Sequence, residues 1–110
     1  MKKSVLLFLV CMVASSLAVA GASAKEASKE SVGEKLFMKH CSKCHPDGGN
    51  VVEVTKTLNP KDREANNVKT GKDIIKLMRN PGPGMVKFGK NVISEKDAKA
   101  IADYIMKTFK

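Results

Sequence analysis

An all-α fold of three to five helices is what the sequence predicts, and three observations carry that prediction. Apolar residues recur at three- and four-residue spacing in three segments, each opened by a side chain able to cap a helix. A single Cys41-Ser42-Lys43-Cys44-His45 run closes the first of these segments. Beyond the first 24 residues the aromatics are only Phe37, Phe88, Tyr104 and Phe109, with no tryptophan in the 110-residue chain. Such a chain is marginal for a core made from its own side chains.

The pentapeptide supplies what the core lacks. Thiols at Cys41 and Cys44 have the spacing that reaches the two vinyl groups of one porphyrin, and His45 then lies beneath the iron as its proximal ligand. One such run means one covalently attached haem c. Half a zinc ribbon is the plainest competing reading, because Cys-x-x-Cys is also a zinc spacing. A structural zinc wants four ligands, however, and beyond the run only Cys11 and His40 remain as cysteine or histidine. A thioredoxin-like pair would need a strand-helix-strand setting that is missing, and would leave His45 unexplained.

Residues 1–24 read as a cleaved signal peptide. Lys2 and Lys3 precede an apolar run from Val5 to about Ala20, and Ala22, Ser23 and Ala24 form a small-residue cleavage pattern. The run is short for a membrane span, so no stable membrane insertion is expected. Lipoprotein anchoring through Cys11 is disfavoured because Phe8, Leu9 and Val10 precede it, without a small residue just before the cysteine. The expected compartment is the periplasm or an equivalent exported space. Residues 25–110 form one monohaem domain, expected to be monomeric.

In that domain residues 25–30 read as a charged lead-in. Ser31 and Glu34 make a capping box, followed by a helix to about His40. Gly33, Phe37 and Cys41 form one stripe of this helix, continued by Cys44, and Lys35, Lys39 and Lys43 form another. Residues 46–70 read as loop, interrupted by one short helix after Asn59-Pro60 with Asp62 at its third position. Thr70 and Asp73 cap a helix to about Arg79, whose Ile74, Ile75, Leu77 and Met78 share a broad face. Pro81 stops it. Ser94 and Asp97 cap the last helix, with Ala98, Ile101, Ala102, Ile105 and Phe109 buried and Tyr104 at the edge.

Between these last two helices, Asn80-Pro81-Gly82-Pro83-Gly84-Met85 alternates prolines that fix the backbone with glycines that permit close approach to a flat surface. Met85 follows far enough after His45 to cross the haem and present a thioether to the other side of the iron. Met78 fits core filling, while Met38 and Met106 are not placed to cross. His40 is expected to pack or lie at the surface. Arg79 and Lys56 are candidates for steadying the propionates, and His45 should give its other ring proton to a backbone carbonyl in the loop after Pro46.

The formal charge is +9, two units of which belong to leader lysines. Nucleic acid is excluded as partner by export and by the lack of a base-stacking aromatic cluster. Other redox proteins with acidic docking surfaces fit better.

Gly33, Phe37, Cys41, Cys44, His45, Met85 and Tyr104 together resemble the pattern of class I monohaem c-type cytochromes. The resemblance implies the compact class I cytochrome c fold, with the first and last helices crossing near Gly33, Phe37 and Tyr104. Gly48 to Val51 with Lys56, Thr57 and Leu58 is similar to the small photosynthetic carriers, and Met78 to Phe88 to small periplasmic cytochromes of metal reducers. The strong positive charge departs from the photosynthetic type.

No catalytic constellation is present, and the expected function is single-electron transfer through a His45/Met85-ligated haem, not enzymatic catalysis. A haem sensor or peroxide-reactive protein with a displaceable methionine is the alternative; peroxide chemistry would want a distal acid-base group, and near Met85 only Lys87 and Lys90 offer a proton. A zinc-binding interaction module is a third possibility.

Overall fold

The computed structural model describes residues 24–110, with side chains from Val32 onward. The expectations for the leader, its cleavage and Cys11 lie outside the described residues. Four α-helices follow in order: α1 (Ala24–His40), α2 (Pro60–Ala65), α3 (Gly71–Arg79) and α4 (Glu95–Thr108), with a 3-10 turn at Pro46–Gly48. No strand occurs among the described residues, and none of their helices is long and apolar enough to cross a membrane.

One boundary differs from the sequence reading. Helix α1 starts at Ala24, so Ser31 lies inside it and cannot be its N-cap. The lead-in is rich in Ala, Lys and Glu, all strong helix formers, and propensity carries the helix back through the capping signal. Elsewhere the signals hold. Thr70 Oγ1 accepts the Asp73 N–H while the Asp73 carboxylate accepts the Thr70 N–H, a complete capping box. Ser94 Oγ accepts the Asp97 N–H at 3.1 Å. Asn59 precedes Pro60 at the first position of α2 without a side-chain cap.

Helices α1 and α4 cross at Gly33. A Cβ there would collide with the Ala100 carbonyl, so only glycine lets the two backbones approach so closely. One turn on, the Phe37 ring lies 5.4 Å from that of Tyr104 and 5.5 Å from that of Phe109. Ala98, Ile101, Ala102 and Ile105 of α4 complete the dry layer with Ile74 and Met78 of α3 and with Ile93. Three of the four α3 residues assigned to one face, Ile74, Ile75 and Met78, pack in or against this layer. Ile75 is half-buried, and Leu77 is exposed on the side where the chain opens into a cavity.

Candidate haem site

The Cys41–His45 run continues the winding of α1. Cys41 N–H donates to the Phe37 carbonyl at 2.8 Å and His45 N–H to the Cys41 carbonyl at 2.9 Å. Helical winding therefore brings both thiols to one side, where they line the cavity with His45. Neither thiol is in a disulfide. Burial pushes the Cys41 thiol up to about 11, and the neighbouring Cys44 adds to the rise. Among the described residues no group of three or more His, Cys, Asp or Glu is placed to hold a metal ion.

After His45 the chain reverses at once. Asp47 and Gly48 take positive φ, 51° and 79°, and a Cβ on Gly48 would run into the Phe109 ring. The reversal returns the Gly49 carbonyl to within 2.7 Å of His45 Nδ1. With Nδ1–H donating there, Nε2 is the ring nitrogen left with its lone pair. The loop beyond is organised by Asn50, whose Oδ1 accepts the N–H groups of Val52 and Glu53 and whose Nδ2 donates to the Lys56 carbonyl.

The opposite wall comes from the Pro/Gly segment. Phe88 N–H donates to the Met78 carbonyl at 2.8 Å and Arg79 Nη1 to the Phe88 carbonyl at 3.0 Å, closing the loop at its neck. Gly84 takes φ +89° just before Met85. Of the methionines weighed from sequence, Met85 and Met78 line the cavity, whereas Met38 and Met106 do not. Met78 is buried in the core and Met85 is 36% exposed.

The enclosed space is about 330 Å³, within the range typical of small-molecule sites. Its floor is Phe37, Ile74, Met78 and Ile105, and Val52, Leu77 and Val86 present exposed apolar surface along its sides. Two thiols, a backbone-oriented imidazole and a thioether converge on one apolar slot. These residues fit a haem.

The two propionate candidates separate. Lys56 lines the cavity; Arg79 lies outside its lining, with Nη1 donating to the Phe88 carbonyl, Nη2 3.4 Å from Glu95, and Nε buried without a hydrogen-bond partner. His40 packs edge-on to Phe88, ring centroids 6.0 Å apart, and lines the cavity from α1. Sequence reasoning missed Arg63, which is buried at the cavity wall. The available signal was the composition of α2, Pro-Lys-Asp-Arg-Glu-Ala, which has no large apolar residue and so must turn a polar one inward.

Known proteins are similar to this chain in sequence and fold. The family model described as cytochrome C oxidase, cbb3-type, subunit III matches residues 28–105. Cytochrome c6 of Cyanidium caldarium is 34% identical over 74 residues, covering 67% of this chain and 66% of the relative, just under two thirds of its length. Cytochrome c6 of Petalonia fascia is also 34% identical over 74 residues, 86% of its length. The structure of OmcF, an outer membrane cytochrome of Geobacter sulfurreducens, is 46% identical with a TM-score of 0.69, covering 71% of this chain and 99% of that one. Oxidized cytochrome c6A from Arabidopsis thaliana is 26% identical with a TM-score of 0.63, covering 70% and 86%. The fold, the attachment run and these relatives agree: the chain belongs to the small class I c-type cytochromes, which carry one covalently bound haem c.

Proposed function

We propose that this chain is an exported one-electron carrier whose haem c is bonded to Cys41 and Cys44 and ligated by His45 and Met85. The observation that carries the reading is that His45, fixed through Nδ1 to the Gly49 carbonyl, and Met85, on its closed loop, line the same cavity as both thiols. When bound, the haem supplies a ferric/ferrous couple.

The chain's own residues do the rest. Cys41 and Cys44 fix the ring to the end of α1, and the Gly49 carbonyl holds the His45 ring in one tautomer. With His45 and Met85 both given to the iron, no position would be left for substrate. The Met85 thioether raises the potential relative to a second nitrogen ligand, and the apolar floor disfavours the extra charge of the ferric state. One electron enters from a donor protein and the same electron leaves to an acceptor. Lys35, Lys39, Lys43 and Lys87 are exposed around the site and suit acidic partners. Residues 1–24 act as the export signal to the periplasm and are removed.

The test is to produce the full chain with haem-attachment machinery and titrate the purified protein. One haem per chain, a single reversible one-electron wave and poor carbon monoxide binding by the reduced protein are expected. Rapid carbon monoxide binding would favour a sensor, and a colourless zinc-loaded product would overturn the reading.

A further inference from the structure

Arg63 is the one charged side chain buried among the described residues, at 7% exposure, and it lines the proposed haem cavity. Buried charges are normally paired. Here all three partners are neutral: Nε donates to the Leu58 carbonyl at 2.8 Å, Nη2 to the Phe109 carbonyl at 3.3 Å, and Nη1 to Met106 Sδ at 2.6 Å. The ion pairs formed among the described side chains involve Arg79, Lys90 and Lys99, and none includes Arg63. Asp62, adjacent in sequence and also on the cavity wall, accepts the Thr57 hydroxyl instead.

Hydrogen bonding to carbonyls lowers the cost of burying the guanidinium without cancelling its charge. The guanidinium charge, buried and without an ion-pair partner, therefore stands in a low-dielectric wall where solvent screens it little, while the Asp62 carboxylate on the same wall acts in the opposite sense. The ferric state of a haem carries one more positive charge than the ferrous state. We infer that Arg63 sets the reduction potential of the bound haem, its buried guanidinium favouring the ferrous state. The inference rests on the haem reading above and adds to it a residue that touches neither the attachment run nor the iron ligands. A unit charge acting across about 10 Å at an effective dielectric of about 20 shifts a one-electron equilibrium roughly tenfold. For one electron, that tenfold change is about 59 mV.

A purely structural role is the rival account, because the contacts to Met106 and Phe109 tie α2 to the end of α4. Charge and packing separate in three variants of the haem-loaded full chain, each followed by redox titration and thermal melting. Arg63→Met removes the charge and should shift the ferric/ferrous ratio about tenfold toward ferric, with a lower potential. Arg63→Lys keeps the charge but not the fork of donors, and should recover most of the potential while melting at a lower temperature. Met106→Leu loses the sulfur contact with no change of charge, and should leave the potential where it was. If Arg63→Met does not retain haem, Arg63→Gln takes its place with the same expectation. A parental potential in the uncharged variant overturns the inference, as does a fall in Arg63→Lys or Met106→Leu as large as that in Arg63→Met. Absence of a one-electron wave in the parent protein would instead overturn the haem reading itself.

Discussion

The α1–α4 crossing and the cavity wall are built on opposite terms. At the crossing Gly33, Phe37, Ala98, Ile101 and Ala102 fill space with the chain's own atoms, and Phe37 is 2% exposed. Across the cavity Val52, Val86 and Met85 remain exposed, on segments held by turns and single hydrogen bonds. One half is a finished core; the other is half of a core whose remaining atoms belong to a cofactor. Folding and haem attachment should therefore be coupled, with the crossing supplying the rigid frame and the cofactor fixing the loops.

The largest effect that could break this contrast is loss of attachment. The Cys41→Ala, Cys44→Ala double variant, or the chain made without attachment machinery, should lack a cooperative thermal transition. A melt like that of the haem-loaded protein would show that the finished half suffices. Next in size, Ile101→Ala in the haem-loaded protein should cost about 2–5 kcal/mol, read by denaturant titration, because Ile101 is fully buried in the frame. Val86→Ala on the cavity loop should cost far less if the frame is where chain-to-chain packing resides.

Smaller is the Thr70 cap of α3, where Thr70→Ala should cost about 0.5–2 kcal/mol. The same site gives a pH signature. Asp73 is held below the usual carboxylate range by the Thr70 hydroxyl, then by the Thr70 and Lys69 N–H groups. A lowered folded value means that its contribution is present above the unfolded value of about 3.9 and is lost as pH falls through the lower folded one. Thr70→Ala should therefore flatten the acid limb of stability in that window, as followed by thermal melts from neutral to acid pH. Weakest is the effect of Lys35, Lys39 and Lys43 on the rate of electron exchange with an acidic protein. That rate should fall as salt rises, since screening shortens the reach of steering to about 10 Å at 0.1 M. A rate indifferent to ionic strength would leave these lysines as solvated surface.

The difference between the two halves also explains what could be read from sequence. The frame follows local rules: Thr70-Asp73 and Ser94-Asp97 announce their helices, and the Gly33, Phe37 and Tyr104 meeting came from the family pattern. The start of α1 was misplaced because a capping signal at Ser31 competes with an Ala, Lys and Glu run before it, and propensity won. At the site the His45 to Gly49 bond was legible, because the motif fixes the ring and Pro46 forces the chain to turn. The anchoring of Arg79 and the burial of Arg63 were illegible for one reason. A long cationic side chain is placed by distant carbonyls, at Phe88 for one and at Leu58 and Phe109 for the other, and those long-range partners leave no periodic trace.

The central claim is that the cavity joins a haem to Met85 through its sulfur, and the paired variants Met85→Ala and Met78→Ala test it most directly. Both methionines line the cavity, but only Met78 is buried in the frame. The measurement is the weak long-wavelength sulfur-to-iron absorption band of the oxidised, haem-loaded protein. Met85→Ala should abolish the band, lower the potential and let the reduced protein bind carbon monoxide, whereas Met78→Ala should keep the band and lose about 2–5 kcal/mol of stability. Survival of the band in Met85→Ala together with its loss in Met78→Ala would contradict the account.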